Sequence, residues 1–286
     1  MTNSLPRLTF ARMQQYRPSG FSILPPVVKN LMIINGLMFL TTIVSQSTAR
    51  FDLVNLLGLH FFTSEMFKPF QIVTHMFMHG SFMHIFSNMF ALWMFGSMLE
   101  NVWGPRRFLF FYLACGLGGA AAHSAVTGFQ YASLVNDVNE YVAQPGVAAF
   151  ATLIAQHDLL VDPFKTDQFI EAWKAAPNAS DYLEASLRIA NDLPSRLADI
   201  PVVGASGAVF GVLIAFGLLF PNTYLYIYFL FPIKAKYFVI FYAALELYAG
   251  FSGAQDGVAH FAHLGGALLG FIIVKFWQRN MRGNFY

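Results

Sequence analysis

Gly204-Ala205-Ser206-Gly207-Ala208-Val209-Phe210-Gly211 decides how this chain is read. The stretch opens an apolar segment, 202–220, long enough to cross a bilayer. Glycines in such a helix let a second backbone approach closely. A hydroxyl set among them is then within reach of whatever that neighbour carries. A serine in a membrane helix ordinarily bonds back to a carbonyl of its own helix. Ser206 is therefore a candidate nucleophile only if the rest of the chain supplies a base and donors for a developing negative charge.

Composition sets the medium in which that question is asked. Of 286 residues, 56% are hydrophobic and 11% are charged, and the mean hydropathy is +0.52. A water-soluble domain carries about 25% charged residues, so the chain reads as a multi-pass membrane protein. The single cysteine, Cys115, excludes an internal disulfide and lies in an apolar run, where it reads as a small packing residue. The first residues are polar and basic, with no short apolar core or small-residue cleavage site. No cleavable signal peptide is therefore expected.

Six apolar segments follow one another at 27–44, 81–99, 108–127, 202–220, 237–251 and 258–277. The expected fold is an all-α six-helix membrane bundle. Residues 1–26 form a tail with Arg7, Arg12 and Arg17, residues 27–128 hold the first three spans, residues 201–278 hold the last three, and 279–286 form a second tail. Between 46 and 74, apolar residues are mixed with polar ones, as in an interfacial segment. Residues 129–200 contain ten Asp/Glu and four Lys/Arg, and their longest apolar run is too short to cross, so an extramembrane insertion of short amphipathic helices is expected. Tyr224, Tyr226 and Tyr228, with Lys234 and Lys236, read as an interface belt. Arg7, Arg12, Arg17, Arg106, Arg107, Lys234, Lys236, Arg279 and Arg282 all fall on one side of the six spans. Both termini are thus expected in the cytoplasm, with the insertion on the periplasmic side. With no further leading span in the sequence, a bacterial plasma membrane is the expected location.

The even-numbered spans start on the outer side, and each carries a polar group near its start. Ser206 lies about four residues into the fourth, His263 about five into the sixth, and His84 and Asn88 about three and seven into the second. At a rise of ~1.5 Å per residue these groups share a depth roughly 5–10 Å below the outer end. Unpaired polar groups in a bilayer cost a few kcal/mol each, so four at one depth argue for a shared site. Gly204, Gly207 and Gly211, and again His263, Gly266 and Gly270, follow one helical spacing. Two such stripes would bring the fourth and sixth spans together, within reach of a Ser206–His263 hydrogen bond. His263 would then act as general base. His84 and Asn88, four apart on one helix face, are candidate oxyanion donors, joined by the Ser206 backbone N–H. Ser81 reads as an N-cap, which leaves His79 in the preceding loop as a brace. His75 and His79 share a spacing that could bind a metal, but no third ligand joins them, so no metal is expected. Glu100 with Arg106 and Arg107 reads as a structural ion pair. Glu246 interrupts the fifth span without an assigned role; helix pairing and channel lining are both open. Asp256 could orient a histidine.

Taken together, these residues resemble the rhomboid family of intramembrane serine proteases. The resemblance rests on Met78 to Asn88, Glu100 to Gly104, Gly204-Ala205-Ser206-Gly207, and Ala262-His263-Leu264-Gly265-Gly266 with Gly270. It implies a six-span core, a Ser206–His263 dyad with no required acid, an oxyanion site at His84 and Asn88, and neither cofactor nor metal. The implied partners are transmembrane protein substrates within the lipid bilayer, and no nucleic acid. The pattern following His263 marks it, and not His260, as the catalytic position. Two departures stand out. Phe70-Gln71 occupies the place of a Trp-Arg pair in the first outer loop. Phe210 replaces a Tyr four residues after the nucleophile, where it can still stack under the histidine. Residues 249–257 are a candidate lid and the fifth span a candidate lateral gate. The rival readings are a catalytically silent rhomboid-like protein that binds membrane clients, and a transporter or channel.

Overall fold

The computed structural model describes residues 20–48, 52–227, 230–252 and 259–282. Helix α1 spans Pro26–Thr48, followed by the short α2 Leu53–Leu57 and α3 Gln71–Thr74. Helices α4 Phe82–Ala91 and α5 Ser97–Trp103 are joined by a π-helical turn, Leu92–Gly96, into one rod. Helix α6 runs Pro105–Ala143, and α7 Val147–Gln156, α8 Pro163–Ala175 and α9 Ser180–Ala198 follow it. Then come α10 Ser206–Leu219, α11 Ala235–Ser252 and α12 His260–Arg282.

The molecule is mostly helical. Among the described residues, four helices are long and apolar enough to cross a membrane: α1, the α4–α5 rod, α6 and α12. Helix α10 has only 14 residues, about 21 Å of rise. It is the central helix, with Gly207 to Val212 among its ten buried residues. A helix enclosed by protein can begin below the bilayer surface, because its neighbours supply the partners that lipid lacks.

The structure corrects several expected boundaries. The helix that carries the third apolar segment does not stop at 127: α6 continues without a break to Ala143, well into residues 129–200. The fourth helix starts at Ser206 and not at 202. Gly204 has φ +131°, a backbone that no right-handed helix continues. Val202 instead pairs with Leu59 in an isolated bridge. Gly204 therefore leaves the glycine stripe, and only Gly207 and Gly211 lie on the helix. Tyr224 and Tyr226 lie on a strand, β1 Tyr224–Ile227, which pairs antiparallel with β2 Phe231–Lys234, so the fold is not wholly α-helical; Tyr228 lies outside the described residues. Period-2 alternation is the strand signature. Glu100 is 2% exposed and does not pair with Arg106 or Arg107. Its carboxylate accepts from Val27 N and Val28 N, each at 2.9 Å, two of the donors left open at the start of α1.

Ridges of small residues hold the bundle's centre. A Cβ built on Gly266 would lie 2.6 Å from the Gly207 carbonyl carbon, one on Gly270 2.9 Å from Gly211 Cα, and one on Gly119 2.6 Å from the Ala262 oxygen. Helices α6, α10 and α12 thus meet backbone to backbone. The first loop is organised by Gln71, fully buried. Its Oε1 accepts from Lys68 N at 3.0 Å, and its Nε2 donates to Leu56 O at 3.1 Å and Met66 O at 3.0 Å. A single amide ties the segment where the Trp-Arg pair is missing.

Candidate active site

Three approaches of chain make the site. The first is the start of α10. Pro201 to Ala205 arrive extended or turned, Gly204 N–H donates to His75 O at 2.9 Å, and Ser206 is the first helical residue. Its backbone N–H is one of the donors that a helix start leaves without an internal partner, and the helix dipole directs positive potential there. The second is the start of α12, where Ala259 O accepts from Ala262 N and His263 N. The third is the start of α4, where the Ser81 hydroxyl caps the helix by accepting from His84 N at 3.2 Å.

Ser206 Oγ lies 2.8 Å from His263 Nε2. The glycine contact between α10 and α12 makes this reach possible, since Gly266 sits one turn beyond His263 and leaves no room for a side chain. Phe210, one turn beyond Ser206, stacks on the His263 ring at 4.2 Å between centroids and 8° between planes. Tyr242 on α11 also stacks on Phe210, at 5.2 Å and 14°. The imidazole therefore has its plane fixed by aromatic packing.

His84 faces the same corner. A Cβ at Gly204 would lie 2.7 Å from His84 Nε2 and 3.4 Å from Ser206 Oγ. Glycine at 204 thus supplies both the left-handed backbone and the empty space between the two side chains. Ser206 and His84 are half-buried, so the corner stays open to the surface. Asn88 is 5% exposed, and its Nδ2 has no hydrogen-bond partner among the described residues. An amide donor buried without a partner is costly; here it lies one turn beyond His84 on α4. His79 stands edge-on to His84, ring centroids 4.9 Å apart, in the loop before the capped helix.

The sequence left Glu246 without a role. It is buried on α11, and its Oε2 lies 2.8 Å from His263 Nδ1 and 2.8 Å from His260 Nδ1. The spacing of three and fourteen residues among the three groups carries no motif, which is why sequence reading missed the cluster; a lone acid in an apolar span was the only signal. Among the described residues, Glu246, His260 and His263 are also a group that could hold a metal ion, with ligand atoms within 4.8 Å of one another. Tyr242 was missed for a simpler reason: an aromatic on a membrane helix is unremarkable until its partner is known. Asp256, and the candidate lid beyond Ser252, lie outside the described residues.

The class is now defined: a helical membrane bundle presenting a serine hydroxyl, at a helix start, to a buried imidazole. The comparison with known families narrows it. The Rhomboid domain model matches residues 66–143 and 179–279, which include every site residue above. The chain belongs to the rhomboid family. It is 26% identical over 214 residues to "RHOMBOID-like protein 12, mitochondrial" of Arabidopsis thaliana, covering 75% of this chain and 47% of that relative. The chain thus spans about half the length of that curated relative.

Proposed function

We propose that this protein is an intramembrane serine endopeptidase that cleaves peptide bonds in or near transmembrane segments of membrane proteins. The observation that carries the reading is the 2.8 Å approach of Ser206 Oγ to His263 Nε2 at the N-terminus of a buried helix. Ser206 Oγ attacks the scissile carbonyl carbon while His263 Nε2 takes its proton. The Ser206 N–H, Asn88 Nδ2 and His84 donate to the oxygen of the tetrahedral intermediate. His263 returns the proton to the leaving amine. Water then attacks the acyl-enzyme along the same path in reverse.

The proposal extends to the surroundings. Helices α10 and α11 complete a core of six membrane segments, with both termini cytoplasmic and the insertion outside. A substrate helix hides its carbonyls and must unwind to be cut, so segments with Gly or Pro near the scissile bond are favoured. Entry is between α11 and its neighbours. No cofactor takes part.

The test is labelling of purified protein with a fluorophosphonate, together with cleavage of a transmembrane reporter. Wild type labels and cleaves. Ser206→Ala abolishes both, and His263→Ala lowers both by about 10³-fold or more, while each variant keeps its thermal stability. Labelling that persists in Ser206→Ala, or a wild type that binds reporters without cutting them, would defeat the proposal.

A further inference from the structure

The resemblance implies a Ser206–His263 dyad and calls for no acid. Glu246 is nevertheless there. Its carboxylate is buried at 8% exposure, on a helix otherwise apolar around it, and both buried histidines of α12 turn their Nδ1 atoms to the same oxygen. A carboxylate taken out of water is stable only when its lone pairs are met. Two imidazole N–H donors at 2.8 Å do so, and they require both rings to carry a proton on Nδ1.

For His263 that requirement has a chemical consequence. A neutral imidazole has one N–H and one lone pair. With the proton on Nδ1, held by Glu246, the lone pair falls on Nε2, facing Ser206 Oγ. The serine then donates to the ring and not the reverse, which is the arrangement a general base needs. When the ring takes the serine proton, the positive charge forms 2.8 Å from a carboxylate that needs no rearrangement to stabilise it. The proton moves only between Oγ and Nε2; Glu246 keeps its charge throughout.

We infer that Glu246 is the positioning residue of the active site, an acid supplied from α11 that fixes the tautomer of His263 and stabilises its protonated form, with His260 as the second donor that keeps the carboxylate in place. The inference rests on the proposed peptidase reading. It also joins α11 to α12 by side-chain bonds across the Phe210–Tyr242 stack, so the helix that would admit substrate is the one that orients the base.

The experiment compares wild type with Glu246→Gln, Glu246→Asp and His260→Ala, reading reporter cleavage, fluorophosphonate labelling rate and thermal stability. Gln keeps the shape but removes the charge, and its amide N–H₂ can donate to Nδ1, which favours the tautomer unable to accept from Ser206. The expected result is a fall in kcat on the order of 100-fold, within the range of general acid–base contributions, with KM and stability little changed and labelling slowed by a similar factor. Asp restores part of the loss because the charge returns. His260→Ala loses less, since His263 keeps its bond to the acid. Wild-type kcat and labelling in Glu246→Gln would overturn the inference. So would a loss matched by lost stability with Asp no better than Gln, which would make the acid a structural group. Activity that vanishes with a chelator and returns with zinc would overturn it too, because the three atoms would then be metal ligands. If Ser206→Ala is as active as wild type, the peptidase reading itself fails; if only the Glu246 variants behave as wild type, that reading stands and this inference falls.

Discussion

The bundle around α10 and the helices of the insertion both enclose cores of large side chains, but they differ in how closely their helices approach. In the bundle, α6, α10 and α12 touch backbone to backbone through Gly119, Gly207, Gly211, Gly266 and Gly270, beside a core of large side chains such as Phe108, Phe111 and Tyr112. In the insertion, the far end of α6 with α7, α8 and α9 encloses its own core of Leu134, Tyr141, Phe150, Leu153, Trp173, Leu193 and neighbours, separate from the bundle core. Its surface carries short-range ion pairs such as Lys174–Glu171, Arg188–Glu184 and Arg196–Asp192. On the proposed topology, with residues 129–200 outside the bilayer, the difference follows from the solvent. Lipid gives no hydrophobic drive for helices to associate, so they gain by close approach. Water does give that drive, so the insertion packs large side chains and leaves charges outside. Adding a methyl group should therefore harm the first region most, and removing a large side chain the second.

Among substitutions that leave the reacting side chains themselves in place and test this packing contrast, the largest effect on activity is expected from Gly266→Ala. Its Cβ would meet the Gly207 carbonyl carbon at 2.6 Å, where backbone cannot give way as a flexible side chain would. Overpacking of this kind costs about 1–3 kcal/mol or more. Here it also drives α12 from α10, and with it His263 from Ser206. Fluorophosphonate labelling should fall by about 100-fold even in protein that remains folded, since a misplacement near 1 Å can have that effect. Labelling at the wild-type rate would show that the glycine contact does not set the serine–imidazole distance.

What the sequence revealed and what it concealed divide along the same line. Ser206, His263, His84, Asn88 and Phe210 each sit in a local pattern of fixed spacing that sequence reading can find, and the structure brings Ser206, His263, Phe210 and His84 to one corner, with Asn88 one turn from His84. The end of the third helix was not legible. Apolarity stops near 127, but helical hydrogen bonding has no reason to stop with it, and α6 leaves the apolar region as a continuous rod. The start of α10 was misplaced because hydropathy cannot register a positive φ at Gly204. Glu100 was assigned to nearby arginines by sequence proximity, while its true partners lie over seventy residues away. Glu246 needed the assembled α11–α12 pair before its purpose could be read at all.

An intermediate effect, confined to one region, is expected from Trp173→Ala. Trp173 is 3% exposed in the insertion core and packs on Phe150 and Phe169. Its truncation costs about 3–5 kcal/mol, enough to open the insertion to limited proteolysis between 144 and 198. Besides the continuous rod of α6, the region is tied to the first loop: the Ser64 hydroxyl donates to Asp199 at 2.6 Å, Phe61 N donates to Ala198 O, and the Phe61 ring lies 5.6 Å from that of Tyr131. Labelling of Ser206 should stay within about twofold of wild type. Lost labelling would mean that the two cores are one cooperative unit.

The smallest effect is expected from Arg188→Ala. The guanidinium lies 2.7 Å from Glu184 one turn earlier on α9, yet the two side chains are 68% and 71% exposed. Water and salt screen such a pair, and holding two long side chains in one geometry offsets much of the attraction. The orientation is the favourable one, with the acid toward the helix N-terminus, so a change of about 0.3–0.5 kcal/mol is expected. That shift in the unfolding midpoint should shrink further at high salt, whereas the loss in Gly266→Ala should not respond to salt, because it comes from contact between backbones. A salt-independent loss in Arg188→Ala would point to its aliphatic stem, and not its charge, as the part that matters on that helix.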